Sequence, residues 1–422
     1  MREVVVTGIG AVTPVGLNAS DSWHAVLEGQ SGITKLPEEL VHDLPVKIGG
    51  LVPSQKDTFD TAELVARGDL KASDSKRLDP HALFGISAGF EAVRSTLGQQ
   101  FRVGDKHPFN PQKFGVSLGS SAGPVGLFQE STRILDTRGP RRVPPGVSIY
   151  GGSDAAASYL SMQLDAQGTS LGIGATCASG AVALGEALRA IRHGYLDAVL
   201  VVGAEDCLNR VNLASNVGIR SLTTNFSAEP KRASRPFDSE RSGFVMSQGA
   251  AAVLLESAEG ATRRGAKVLA KIAGYGTSSD AFHATAPHPS GRGASQAMKA
   301  ALKDSEINAA QIDHINAHGT STVLGDKIEA IAMQNVFGVA SVPPITATKS
   351  VVGHMLGAAG VFEAIVALKS LETAQIPPTI NLETSDFDLD IVAEFARTKQ
   401  MEAVMSNSFG FGGHNVSLIF TK

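Results

Sequence analysis

An α/β protein built from one unit used twice is the fold class this sequence predicts, and three observations predict it. An apolar strand-like segment runs into a small-residue turn and then an apolar helix at Ser170–Ile191. The same order returns at Pro344–Leu371, where Pro344-Ile-Thr-Ala-Thr-Lys-Ser350 leads through a glycine-rich turn into Gly357–Leu371. A strand follows each helix, Leu196–Gly203 in the first copy and Met401–Asn407 in the second. Glycine is abundant (45 residues) and aromatics are scarce (5%), which suits tight turns and closely packed α/β layers better than an aromatic-rich β-sandwich. With 422 residues, 43% of them hydrophobic, there is enough apolar material for a large two-part core. Each half should be a mixed sheet with helices on both faces, divided into residues 1–257 and 258–422.

Taken in order, Arg2–Gly10 reads as a buried strand ending in a glycine turn, Gly8-Ile-Gly10. The Thr13-Pro14-Val15-Gly16 that follows lacks the third glycine and opening helix of a dinucleotide loop. Ser20 or Asp21 is positioned to cap a helix through Trp23–Leu27. Residues 37–75 are polar and irregular, with a helical patch near Thr61–Ala66. Asp79-Pro80 opens an amphipathic helix to Leu97, because an acidic cap followed by proline at the first position is a helix start. Phe114–Ser120 is a strand, then a helix runs to about Leu135, followed by the proline- and arginine-rich loop Arg138–Pro145 and a helix over Asp154–Gln163. Beyond the Cys177 unit, Ala198–Gly203 and Gly249–Leu255 are strands, and the charged run Glu256–Lys267 is a surface helix joining the halves. Val268–Ala273 and Ile312–Asn316 are strands of the second half, and Lys327–Asn335 is a helix.

A net charge of −4 argues against general nucleic-acid binding. The two cysteines, Cys177 and Cys207, give neither a disulfide framework nor a cysteine-rich zinc site, and no two histidines show ligand spacing on one helix face. There is no apolar run of membrane-spanning length and no signal-peptide pattern, so the expected compartment is the cytoplasm.

Chemistry concentrates in four small-residue turns: Ala175-Thr-Cys-Ala-Ser-Gly180, Asn316-Ala-His-Gly-Thr-Ser-Thr322, Thr348–Gly360 and Asn407-Ser-Phe-Gly-Phe-Gly-Gly413. Cys177 would lie at a helix N-terminus, where free backbone N–H groups and the positive end of the dipole favour a thiolate. A cysteine in such a turn is equally at home as a small buried packing residue. In a duplicated fold, equivalent strand ends meet near the pseudo-dyad, which would bring the four turns together.

With these motifs the chain resembles the β-ketoacyl-acyl carrier protein synthases, the Cys-His-His (type I/II) class of the thiolase-like condensing enzymes. The likeness extends over Arg235-Pro-Phe-Asp238, Thr277–His283, Gly325-Asp-Lys-Ile-Glu329 and Ile376–Leu382. Val46-Lys-Ile-Gly-Gly50 and Gly412-Gly-His-Asn-Val416 are most similar to actinobacterial members, some of which elongate very long chains. The resemblance implies two halves of mixed five-stranded sheet layered αβαβα, a homodimer and no tightly bound cofactor or metal. It also implies decarboxylative condensation of a cysteine-held acyl group with malonyl-acyl carrier protein, phosphopantetheine entering as part of that carrier. By the same resemblance Cys177 is the nucleophile. The backbone N–H groups of Cys177 and Phe409 hold the oxyanion, and Phe409 gates the acyl chain. His318 and His354 stabilise the carbanion, and Lys349 and Glu329 form a buried charged pair that orients His318. Thr320 and Thr322 hydrogen-bond the phosphopantetheine arm, and Lys76, Arg77, Arg141, Arg142 and Arg220 dock the carrier.

Three departures stand out. Arg241-Ser-Gly-Phe-Val-Met-Ser-Gln248 lacks two acidic groups usual in the family, and Val323 stands where a proline is usual after the second threonine. Ala122 stands where relatives place isoleucine or leucine near the acyl pocket, which would admit longer or bulkier chains. Among alternatives of the same fold, a thiolase needs a second cysteine in a late C-terminal turn, and Cys207 is misplaced for that. A type III synthase has asparagine where His354 stands, and a chain-length factor lacks the cysteine. A standalone polyketide or polyene ketosynthase uses the same residues and is the remaining alternative.

Overall fold

The computed structural model describes residues 1–53 and 59–422; part of the irregular stretch at 37–75, residues 54–58, lies outside the described residues. Ten strands form the main sheet: β1 (Val4–Val12), β2 (Phe114–Gly119), β3 (Ser170–Ile173), β4 (Ala198–Glu205), β5 (Gly249–Ser257), β6 (Ala270–Ser279), β7 (His314–Asn316), β8 (Ile345–Thr346), β9 (Ala403–Gly410) and β10 (His414–Thr421). Their spatial order is β3-β2-β4-β5-β1-β6-β10-β9-β7-β8. Each half therefore places its own five strands in the order third, second, fourth, fifth, first. In each half the first three of these neighbours are parallel and the remaining pairings antiparallel. The halves join through the antiparallel pairs Val5↔Lys271 and Val6↔Ala270.

Six helices make the layers: α1 (Pro80–Leu97), α2 (Ala155–Gln163), α3 (Ser179–Arg192), α4 (Arg292–Ser305), α5 (Val323–Phe337) and α6 (Ala359–Thr373). Strand alternation sorts their contacts, since successive side chains face opposite sides of a sheet. Val199 and Val201 of β4, Val253 of β5 and Val416 and Leu418 of β10 pack into one core with α3 and α6. Leu200, Val202 and Leu254 face the other way, onto α1 and α2. Ile419 and Met405 of the second half face α4 and α5. The result is the αβαβα stack, with α3 and α6 as its middle layer. α6 is buried from Ala359 to Leu368, as a central helix must be, and apolar there except for Glu363.

Several expectations need correction. Gly8 and Gly10 lie inside β1 and make no turn there. They let α1 lie directly on the strand, since a Cβ on Gly8 would sit 2.2 Å from the Ala92 carbonyl oxygen. The cap of helix Ala19–Leu27 is Asn18, whose side chain accepts from the Asp21 N–H at 2.8 Å, and neither Ser20 nor Asp21 serves. The joining helix is only Ala258–Arg263. Helix α4, helix Arg210–Gly218 and strand β10 add to the elements legible in the sequence.

Candidate active site

The middle layer delivers Cys177. Thr176–Ala178 form one 3₁₀ turn ahead of α3, and the Ser179 hydroxyl closes it by donating to the Thr176 carbonyl at 2.6 Å and accepting from Ala175 N–H at 2.8 Å. Thr176 takes a left-handed φ of 48°, which swings Cys177 toward the cavity. The approach of the layers is set by three glycines. A Cβ on Gly119 would sit 2.5 Å from the Gly180 nitrogen, one on Gly180 2.6 Å from the Gly357 oxygen, and one on Gly357 2.5 Å from the Ser121 nitrogen. The end of β2, the start of α3 and the turn before α6 thus stack backbone on backbone.

Cys177 lines a cavity of about 330 Å³ together with His318, His354, Thr320, Thr322, Phe409, Phe411, Arg220 and Ser242. All four turns singled out in the sequence meet here. The thiol is buried, and that burial pushes it up to about 12, outweighing the opposite pull of the Lys349 ammonium. Burial therefore works against the thiolate that the helix end favours, while the Lys349 charge and the Phe411 N–H work with the helix end. A backbone N–H does face the sulfur, but it belongs to Phe411 and not to Phe409. The Phe411 carbonyl in turn accepts from the Thr176 hydroxyl at 2.8 Å. The Phe409 ring lies against His318, with centroids 5.9 Å apart.

The His318 and His354 rings are perpendicular neighbours, centroids 5.4 Å apart. Burial, then the Lys349 charge and the adjacent His354, hold His318 well below the ordinary imidazole value; burial and Lys349 do the same to His354. Both rings are neutral, so each carries one N–H donor. Neither ring nitrogen of His354 has a hydrogen-bond partner among the described residues. Lys349 Nζ donates to the His318 carbonyl at 2.7 Å and faces His318 Nδ1 at 3.5 Å, which leaves the His318 proton on Nε2.

The charged pair differs from expectation. Lys349 is bridged to Glu363 of α6, both side chains buried. Glu329 instead accepts the backbone N–H groups of His318 and Gly319, each at 2.8 Å, and so fixes the His318 turn through its main chain. Glu329 on α5 is one helix away from the ammonium, whereas α6 follows Lys349 directly in the chain. Glu363 was legible in principle as the single acid in the apolar run Ala359–Leu368. A second unforeseen support is Asp326, which accepts from Thr320 N–H at 3.1 Å and Phe237 N–H at 2.8 Å.

The Thr320 and Thr322 hydroxyls lie 3.0 Å apart on the cavity wall, and Thr322 also caps α5. Ser242, where an acid is usual, pairs with the Thr223 hydroxyl at 2.7 Å. Cys207 is fully buried with its thiol against Glu205, which agrees with core packing. Ala122 is exposed and outside the cavity of the single chain. Of the basic residues, Arg220 stands at the cavity, while Lys76, Arg77, Arg141 and Arg142 are exposed outside it. None of the five has a carboxylate within ion-pair distance among the described residues. Among those residues, no group of three or more His, Cys, Asp or Glu is arranged to hold a metal.

A layered, duplicated fold with a buried cysteine facing two neutral histidines defines a condensing-enzyme site, and the chain belongs to the β-ketoacyl synthase family. The pattern described as "Beta-ketoacyl synthase, N-terminal domain" matches residues 1–261, and "Beta-ketoacyl synthase, C-terminal domain" matches residues 269–383. Along its full length the chain is 37% identical to 3-oxoacyl-[acyl-carrier-protein] synthase 2 of Vibrio cholerae, covering 99% of that protein. It is 36% identical to a putative mitochondrial 3-oxoacyl-[acyl-carrier-protein] synthase of Schizosaccharomyces pombe, again over 99% of that protein. A β-ketoacyl synthase from Burkholderia phymatum has the same fold, with a TM-score of 0.88 at 31% identity over the whole of both chains. A chain from a structure of a type II PKS acyl-carrier protein in complex with its ketosynthase gives 0.88 at 26% identity, covering 100% of this chain and 99% of that one.

Proposed function

We propose that this chain is a 3-oxoacyl-[acyl-carrier-protein] synthase of fatty-acid elongation, an acyltransferase in which Cys177, His318, His354, Lys349 and the 409–413 turn share one site. The observation that carries the reading is the pair of neutral imidazoles beside Lys349, in the same cavity as Cys177. The Cys177 sulfur attacks the thioester carbonyl of the acyl-carrier substrate; the carrier C–S bond breaks and the thiol proton leaves with the phosphopantetheine sulfur. The N–H groups of Cys177 and Phe411 hold the oxyanion of that step. Malonyl-carrier then binds and loses CO2, and the electron pair of the broken C–C bond becomes an enolate whose oxygen takes hydrogen bonds from both histidines. A neutral donor pair suits this charge, because it needs no proton transfer to stabilise it. The enolate carbon attacks the acyl-Cys177 carbonyl and the cysteine sulfur departs. Thr320 and Thr322 bind the arm, and the five basic residues receive an acidic carrier.

With purified carriers, Cys177→Ala abolishes acyl-enzyme formation, while His318→Ala or His354→Ala impairs decarboxylation and condensation more than acyl transfer. A Cys177→Ala protein that still condenses overturns the mechanism. The nucleophile half is residues 1–257 and the histidine half 258–422. A homodimer is supported by the bare edge strand β3, whose Leu171 is 49% exposed, and by exposed Ile149 and Met162. Light scattering tests it. Across that dimer Ala122 widens the acyl pocket, in keeping with an actinobacterial-type long-chain enzyme; equal chain-length limits in wild type and Ala122→Ile dismiss this. No helix among the described residues is long and apolar enough to cross a membrane, and the proposed compartment is the cytoplasm. The polyketide reading is favoured only by the ketosynthase neighbours. Mass spectrometry of the acyl group trapped on Cys177 in the native host separates the two.

A further inference from the structure

Glu205 ends β4 fully buried, behind the catalytic layer, and takes no part in the chemistry above. Five donors converge on its two oxygens. Three are backbone N–H groups of one loop, Ser121 at 2.6 Å, Ala122 at 3.2 Å and Gly123 at 3.2 Å, and the Ser120 hydroxyl joins them at 3.2 Å. The fifth comes from the other half of the molecule, the N–H of Gly357 at 3.1 Å, in the turn between His354 and α6. No lysine or arginine lies within ion-pair distance of Glu205 among the described residues. A buried carboxylate without a counter-cation is held only by such oriented dipoles. Burial pushes the Glu205 carboxyl above the ordinary carboxylate value, while the Ser121, Ala122 and Gly357 N–H groups and the Ser120 hydroxyl pull it back, and the anion accepts from all five donors.

From this convergence we propose that Glu205 is a positioning residue: its carboxylate locks the loop behind Cys177 to the turn behind His354 and so sets nucleophile against carbanion stabilisers across the two halves. The inference rests on the condensing function proposed above. The link to Cys177 runs through the backbone stack, where Gly119 touches Gly180 and Gly180 touches Gly357. The same carboxylate is an unneutralised negative charge near the thiol. The charged groups acting on Cys177 are Lys349, which favours its thiolate, and Glu205, which opposes it; His318 and His354 share its cavity uncharged. Glu205 itself is faced by Asp206 and Cys207 from its own strand end.

The test is Glu205→Gln in the full chain, nearly the same shape without the charge. Expected are a folded protein by circular dichroism and a condensation kcat lowered at least about tenfold, while KM for malonyl-carrier moves less than about twofold. The pH profile of Cys177 alkylation by iodoacetamide should shift to lower pH, an effect that a merely structural residue would not produce. A folded Glu205→Gln enzyme with unchanged kcat and an unchanged alkylation profile overturns the proposal. If that variant does not fold, Ser120→Ala removes a single donor: a lowered kcat at unchanged KM supports the proposal and wild-type kinetics overturn it. Alkylation needs no substrate, so it separates failure of this inference from failure of the condensing function, which would appear as wild-type protein that never acylates.

Discussion

Lys349 and His318 are joined twice, by an ammonium-to-carbonyl hydrogen bond of 2.7 Å and by the same ammonium facing the ring Nδ1 at 3.5 Å. One buried cation thereby sets both the main-chain position and the tautomer of the His318 ring, while Glu363 balances its charge.

Replacing Lys349 by methionine strands the Glu363 carboxylate in the core. Losing one partner of a buried pair costs about 3–5 kcal/mol. Urea denaturation of Lys349→Met should register a loss of that order, and malonyl-carrier decarboxylation, followed as released CO2, should fall in parallel. Lys349→Met with Glu363→Gln should recover much of the stability and none of the decarboxylation.

The histidine pair makes a prediction about pH. Because both rings are held neutral well below the ordinary value of 6.5, decarboxylation should lack the acid limb of an ordinary imidazole. Its rate should stay level from about pH 7.5 to about 5.5 in stopped-flow measurements, where a free histidine would have lost its neutral form.

Stability follows the same sign at His81, whose burial brings it down to about 4. The folded ring stays neutral while the unfolded chain takes up a proton below about 6.5. Its contribution is therefore full above that pH and is lost as pH falls through about 4. Across that window, urea midpoints should fall more steeply for wild type than for His81→Leu.

Gly410 is the point where the Phe409–Gly413 turn meets the Cys177 turn. A Cβ there would lie 2.3 Å from Thr176 Oγ1 and 2.9 Å from the Ala175 oxygen. Gly410→Ala should push the Phe411 N–H away from the sulfur. The expected loss is about 10²–10³ in kcat, the usual cost of an oxyanion donor, with acylation of Cys177 as the slowed step in a quench assay.

Charge reversal at Arg77 and Arg142 should raise KM for acyl carrier about tenfold at low salt, leave kcat nearly unchanged, and lose its effect as ionic strength rises. Single-turnover rates at saturating carrier give the comparison.

What the sequence made legible was whatever has a local cause. The start of α1 was readable because Asp79 and Pro80 are adjacent cap and first-turn residues. The four chemical turns were readable because each packs small and polar residues into one short stretch. Gly8 and Gly10 misled because their partner, the Ala88–Ala92 backbone, is remote in sequence, so a packing glycine looks the same as a turning one. The partner of Lys349 was misassigned for a related reason: Glu329 and Glu363 are both plausible acids, and only the placement of α5 and α6 decides between them. The upward pull of burial on the Cys177 thiol was not legible, because a helix start is visible in the sequence and the depth of burial is not.

The stack of Gly119, Gly180 and Gly357 leaves no room for even a methyl group. The distance between the Cys177 turn and the His354 turn is therefore a property of peptide backbone, with no side chain in between to vary. A side chain added at any of the three would have to displace main chain on both sides of the seam, so the spacing is guarded against drift by substitution.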